Sequence, residues 1–113
     1  MKIVEDQITI EELSEMTKKM FGNLVKAVVD VGKEIMAVNG ELHSDEQELL
    51  IEKGSKQKDL WGINIYPEIK DENWIEFDSM VNLKPYFNNR TRGVESSEIK
   101  EKIIKIVNKL VKK

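Results

Sequence analysis

Residues 24 to 38, Leu24-Val25-Lys26-Ala27-Val28-Val29-Asp30-Val31-Gly32-Lys33-Glu34-Ile35-Met36-Ala37-Val38, hold two apolar runs separated by a Gly-Lys-Glu break. The first run is dense in β-branched residues, and the second ends at Asn39-Gly40, a turn dipeptide. Strands buried on both faces read as near-continuous apolar runs, so this stretch predicts a hairpin of interior strands. A sheet centred here needs further strands at its sides and helices over its face.

The flanking segments supply both. Met1 to Val4 predicts a short edge strand. Thr9 and Glu12 form a T-x-x-E capping box, with Ile8 and Leu13 at the spacing of a hydrophobic staple. Leu13, Met16 and Met20 then share one face of a helix over residues 10 to 21, which Gly22 is placed to end in a left-handed turn. Ser44 with Gln47 makes an S-x-x-Q box for a helix over 45 to 53 closed by Gly54, although Leu49-Leu50-Ile51 suits a strand equally. From Leu60 to Tyr66 and from Trp74 to Leu83 polar and apolar residues alternate, which predicts two antiparallel strands separated by Pro67 and Lys70-Asp71-Glu72-Asn73. Ser96 or Ser97 caps a last helix with Ile99, Ile103, Ile106, Val107 and Leu110 on one stripe, and with lysines outside it. The order β-α-β-β-α-β-β-α predicts an α+β, two-layer fold. Its sheet is mainly antiparallel, of four to five strands with helices on one face, and resembles a ferredoxin-like arrangement with an added strand.

Composition narrows the function classes. At 113 residues the chain suits a single domain over 1–113 with one core. Without cysteine there is no disulfide, thiolate nucleophile or cysteine metal site, as suits a reducing compartment. No apolar run approaches the roughly 20 residues of a membrane-spanning helix, so a cytoplasmic protein with no membrane partner is expected. Residues 1 to 83 carry nine basic and eighteen acidic side chains, whereas 84 to 113 carry nine basic and three acidic. That split can mark a nucleic-acid tail, or an acidic body that attracts a basic helix within the fold or between subunits of a homo-oligomer.

Three groups of residues can carry chemistry. If the apolar sets of the two later strands face the helices, Asn64, Glu76, Asp78 and Asn82 gather on the opposite face, with Tyr66, Trp74 and Met80 around them. That face is either an ordinary solvated sheet surface or a ligand or partner surface. The aperiodic stretch Tyr86-Phe87-Asn88-Asn89-Arg90-Thr91-Arg92-Gly93 offers two guanidinium forks suited to a carboxylate or phosphate, close to the capped start of the last helix. Alternatively these arginines pair with the acidic body. Glu41, His43 and Asp45 offer one imidazole and two carboxylates for a divalent metal, or a base with its orienting acid. The plainer account is a capped helix start whose first turn carries Asp45 and Glu46 to suit the dipole. No P-loop, dinucleotide fingerprint or nucleophile elbow is present, and the sequence names no cofactor.

Gly40-Glu41-Leu42-His43-x-Asp45, Gly54-Ser55-x-Gln57-x-x-Leu60-Trp61-Gly62-x-Asn64-x-Tyr66-Pro67, Trp74-Ile75-Glu76-Phe77-Asp78-Ser79-Met80 and Asn89-Arg90-x-Arg92-Gly93-Val94-Glu95 follow one another in order. Together they resemble a family of short prokaryotic proteins catalogued as a domain of unknown function. The likeness spans nearly the whole chain and departs from the pattern at Pro85-Tyr86-Phe87. It implies that the motif residues belong together, and it names no activity.

Three functions follow as expectations. The first is a small binding or regulatory module that holds an anionic ligand or a partner carboxylate at Arg90 and Arg92, with Asn64, Asn82 and Asn89 nearby. The second is an acid/base enzyme using His43 with Asp78 or Glu76. The third, disfavoured by the acidic body, is nucleic-acid binding through the last helix with Tyr66 or Trp74 stacking on bases.

Overall fold

A computed structural model of the chain describes residues 1–113. Its elements are β1 (Lys2–Val4), β2 (Ile8–Thr9), α1 (Ile10–Lys19), β3 (Val25–Asp30), β4 (Ile35–Val38), α2 (His43–Glu52), β5 (Leu60–Ile65), β6 (Ile75–Glu76), α3 (Ser97–Leu110) and β7 (Val111–Lys112). β1, β4, β3, β5 and β6 form one five-stranded antiparallel sheet in that order. β2 and β7 make a separate two-residue parallel pair that ties the entry of α1 to the exit of α3. The fold is thus α+β with a mainly antiparallel sheet, and none of its helices is long and apolar enough to cross a membrane.

Local signals explain the helix ends. The Thr9 hydroxyl accepts from the Glu12 N–H at 3.1 Å, and Gly22, at φ +90°, donates to the Thr17 carbonyl beyond the last turn of α1. Ser96 caps α3 through the Ile99 N–H, and Gly54, at φ +100°, follows α2. The expected Ser44 cap is not used: α2 starts two residues earlier than predicted, with Leu42 as an N-cap that supplies no side-chain hydrogen bond.

The helices divide between the two faces of the sheet, which corrects the expectation of helices on one face. Leu13 of α1 and Ile103, Ile106, Val107 and Leu110 of α3 join Val25, Ala27, Val29, Met36, Trp61 and Ile63 in the main core. Leu50 of α2 joins Val28, Ala37 and Leu60 in a second, smaller core. Consecutive residues of β3, Ala27, Val28 and Val29, thus alternate between the two cores, as interior strands must. Topology supplies the reason. β1, β4 and β3 take the relative order of a ferredoxin-like sheet, but β5 joins beside β3 instead of beside β1. The β1-α1-β3 and β4-α2-β5 crossovers therefore step the same way along the sheet from strands that run in opposite directions. The right-handed crossover preference then puts their helices on opposite faces.

The predicted strand over Trp74–Leu83 shortens to Ile75–Glu76, paired with Ile65 and Asn64. Beyond Asp78 the chain leaves the sheet and folds over β5 in a 3-10 turn at Met80–Asn82. Gly62 makes this possible, because a Cβ there would lie 2.5 Å from the Ser79 Cβ and 2.8 Å from Val81 Cγ2. The Asn82 side chain takes over the missing strand's bonds. Its Oδ1 accepts from the Gly62 N–H at 2.7 Å and its Nδ2 donates to the Gly62 carbonyl at 2.9 Å. Backbone groups of β5 that would otherwise be orphaned are satisfied by one amide.

Candidate functional site

The face of the sheet that carries α2 is apolar at one end and polar at the other. Along β3 it runs from Val28 to Lys26, and along β5 from Leu60 past Gly62 to Asn64. Lys26, Asn64 and Glu76 lie side by side across β3, β5 and β6. α2 covers the apolar end through Leu49 and Leu50, and its first turn reaches the polar end. There the segment after Asp78 closes the other side and leaves a cleft of about 230 Å³ lined by Lys26, Leu42, His43, Ser44, Ser79, Met80, Val81 and Arg92. Depressions of about 300 and 400 Å³ beside α1 are larger, but they are lined mostly by exposed Glu and Lys side chains and hold no imidazole.

His43 is half-buried, and its Nε2 donates to the Ile63 carbonyl at 2.8 Å. A carbonyl only accepts, so this bond fixes the Nε2–H tautomer and leaves Nδ1 with a lone pair when the ring is neutral. Burial lowers the His43 pKa below its ordinary value, and the Ile63 bond partly opposes this. The positive charges of Lys26 and Arg92 lower it further, while Asp78 raises it. Lys26 forms no ion pair with any carboxylate, and its ammonium sits 4.9 Å from the centre of the Phe21 ring. Arg92 donates its Nε–H to Asp78 at 2.6 Å, a pair about half exposed on each side. No side chain caps the first-turn N–H groups of α2 beside these cations.

The carboxylates at the rim are engaged. One oxygen of Glu76 accepts from Asn64 Nδ2 and from the Tyr66 hydroxyl, each at 2.9 Å. Burial and the Glu76 bond raise the Tyr66 pKa. Neither Glu76 nor Asp78 hydrogen-bonds His43 directly, although the Asp78 charge acts on the ring.

The predicted residues separate into three sets. His43, Asn64, Glu76, Asp78 and Arg92 come together at or beside the cleft. Asn82 and Asn89 are buried and serve the backbone: Asn89 Nδ2 donates to the Asn82 and Gly93 carbonyls at 2.7 and 2.8 Å, and its Oδ1 accepts from the Glu95 N–H. Arg90 is exposed and does not line the cleft, so the two arginines do not form a common fork. Glu41, His43 and Asp45 do not converge either, because His43 turns toward β5. No group of three His, Asp or Glu side chains is placed to hold a metal ion. Trp74 lies in the main core beneath the Lys113 ammonium, 3.9 Å away, so it is not free to stack on a base.

Three buried ionisable groups escaped the sequence reading, the first being Asp30 of β3, whose carboxylate accepts from the Ser55 hydroxyl at 2.6 Å and from the Gly32 and Lys33 N–H groups. Glu46, in the first turn of α2, is fully buried, and burial pushes its pKa up to about 9. Lys84 is equally buried, donates to the Val81 carbonyl at 2.9 Å and lies 4.8 Å from the centre of the Trp61 ring; burial lowers its pKa to about 8.

Residues of all four sequence motifs touch here: Gly62 lies against Ser79, Asn64 donates to the Asp78 carbonyl, Arg92 pairs with Asp78 and His43 donates to the Ile63 carbonyl. A family model described as "Protein of unknown function (DUF5674)" matches residues 2–110. The chain belongs to the DUF5674 family. No curated protein and no solved structure matches it.

Proposed function

We propose that the chain is a small binding module that holds a small anion, a carboxylate or phosphate, in the cleft at the start of α2. The observation that carries this reading is the convergence of Lys26 and Arg92 on one cleft with a half-buried, depressed-pKa imidazole. Both cations lie where they oppose protonation of His43, so an anion bound between them relieves repulsion and adds hydrogen bonds from the guanidinium, the ammonium and the Ser44 and Ser79 hydroxyls. The uncapped N–H groups of α2 add a favourable partial charge. Arg92 fills the role expected of the arginine loop, and Lys26 replaces Arg90 as its partner.

Titration with inorganic phosphate and with acetate, followed by the imidazole proton signals of His43, tests the proposal. A saturable shift is expected, accompanied by a rise in the His43 pKa and lost in Lys26→Ser. If His43 keeps one pKa, below 6.5, at every anion concentration, the reading fails.

A further inference from the structure

The cleft at the start of α2 has walls of two kinds. Lys26, Ser44, Ser79 and Arg92 line its polar part, and no carboxylate does. Asp78 holds only the Nε–H of Arg92, so both terminal nitrogens of the guanidinium are free of protein partners. Ser79 is 1% exposed, and its hydroxyl accepts from the Val81 N–H at 3.2 Å while donating to no protein group. A buried hydroxyl hydrogen without an acceptor is a cost that a ligand oxygen removes.

The mouth of the same cleft is apolar. Leu42, the N-cap residue of α2, is 54% exposed on one wall, and Met80, the first residue of the 3-10 turn, is 61% exposed on the other. Half-buried Val81 joins them. A bare inorganic anion would leave these side chains against water, whereas ligand sites combine apolar walls with a few convergent polar groups that fix orientation. Donor number then separates the anion classes. Lys26, Ser44, Ser79 and Arg92 are four donor groups, more than the two oxygens of a carboxylate can engage singly and well matched to the three terminal oxygens of a phosphate monoester.

Taking the cleft as the anion site proposed above, we infer that its ligand is a phosphate monoester whose organic part is apolar, an aryl or alkyl group lying against Leu42 and Met80. The unbranched Met80 side chain adapts to its neighbour, so the site selects an apolar body rather than one outline.

Titrations of the full chain with phenyl phosphate, inorganic phosphate and benzoate, followed by the His43 proton signals, test this. Phenyl phosphate should bind about tenfold tighter than inorganic phosphate, through burial of the ring against the mouth, and tighter than benzoate. In Leu42→Ala and in Met80→Ala, both at exposed positions, the preference for phenyl over inorganic phosphate should fall to about threefold or less. Equal affinity for the two phosphates, benzoate binding as tightly as phenyl phosphate, or a preference that survives both substitutions would overturn the inference and leave the anion site standing. If none of the three anions shifts His43, the anion site falls and the monoester with it.

Discussion

Replacing Glu46 with Gln tests whether α2 is docked by a neutral acid. Glu46 is fully buried; its Oε2 accepts from the Gly40 N–H at 2.8 Å and its Oε1 has no partner. Gly40 leaves the room, since a Cβ there would lie 2.7 Å from the Glu46 Cγ. With a folded pKa of about 9 against an ordinary 4.5, the folded chain keeps a proton that the unfolded chain releases. The resulting stability is fully present below pH 4.5 and falls as pH rises toward 9. At about 1.4 kcal/mol per pH unit, keeping Glu46 protonated at pH 7 costs about 3 kcal/mol. Gln has the shape of the protonated acid, keeps an acceptor for Gly40 and has no proton to lose. Glu46→Gln should therefore match the parent near pH 5 to within about 1 kcal/mol and exceed it by about 3 kcal/mol at pH 7. Urea unfolding at pH 5, 6, 7 and 8 measures both. If the two stability curves run parallel, or Gln is the weaker at pH 7, Glu46 is ionised and paired, and the neutral-acid account is refuted.

Two further substitutions address the segment after Asp78. Gly62→Ala should push the Ser79–Asn82 turn off β5 and break both Asn82 bonds, with a loss of about 2–3 kcal/mol. Thermal unfolding should show Tm falling by on the order of 10 °C, and amide exchange should accelerate at residues 79 to 82. Lys84 has a lowered pKa of about 8, so its contribution to stability is complete above 10.5 and is lost as pH falls through 8. Lys84→Met removes that dependence. The stability difference between the two chains, measured at pH 7.5 and pH 10, should shift in favour of the parent at the higher pH, and a constant difference refutes the assignment.

Features coded over a few neighbouring residues were legible in the sequence. The Thr9 and Ser96 caps, the Gly22 and Gly54 stops and the β3–β4 hairpin each depend on contacts within about one turn, and each forms as its pattern implies. Features decided by long-range packing were not. Trp74–Leu83 alternates as a strand should, yet its fate depends on Gly62, twenty residues before Asn82, because only a missing Cβ lets the chain cross β5. Glu46 in a first helical turn reads as a charge complementing the dipole. Its burial follows from Gly40 folding back onto it, which residue spacing does not reveal. For the site, the gathering of Asn64, Glu76 and Asp78 was readable from period 2, whereas Lys26 sits in an apolar run with no local mark of a site. Its membership depends on β5 pairing with β3, a topological fact absent from local pattern.

That pairing also bears on whether the polar face is solvated surface or a site. Had β5 joined beside β1, the ferredoxin-like way, both crossovers would put their helices on one face and leave Lys26, Asn64 and Glu76 on an open surface. Because β5 joins β3 instead, α2 must cross the opposite face. A ten-residue helix is about 15 Å long, shorter than the roughly 20 Å of a six-residue strand, so it does not cover that face from end to end. Val28 and Leu60 lie beneath the helix body, and Lys26 and Asn64 lie beyond its first turn. The polar residues thus occupy the part of the sheet that α2 is too short to cover, and the Ser79–Asn82 turn walls them in. An ordinary solvated face needs no such wall, and here Asn82, bonded to Gly62 in place of a further strand, fixes one beside the polar residues. The buried amide of Asn82 is therefore the feature that most strongly separates this cleft from a plain sheet surface.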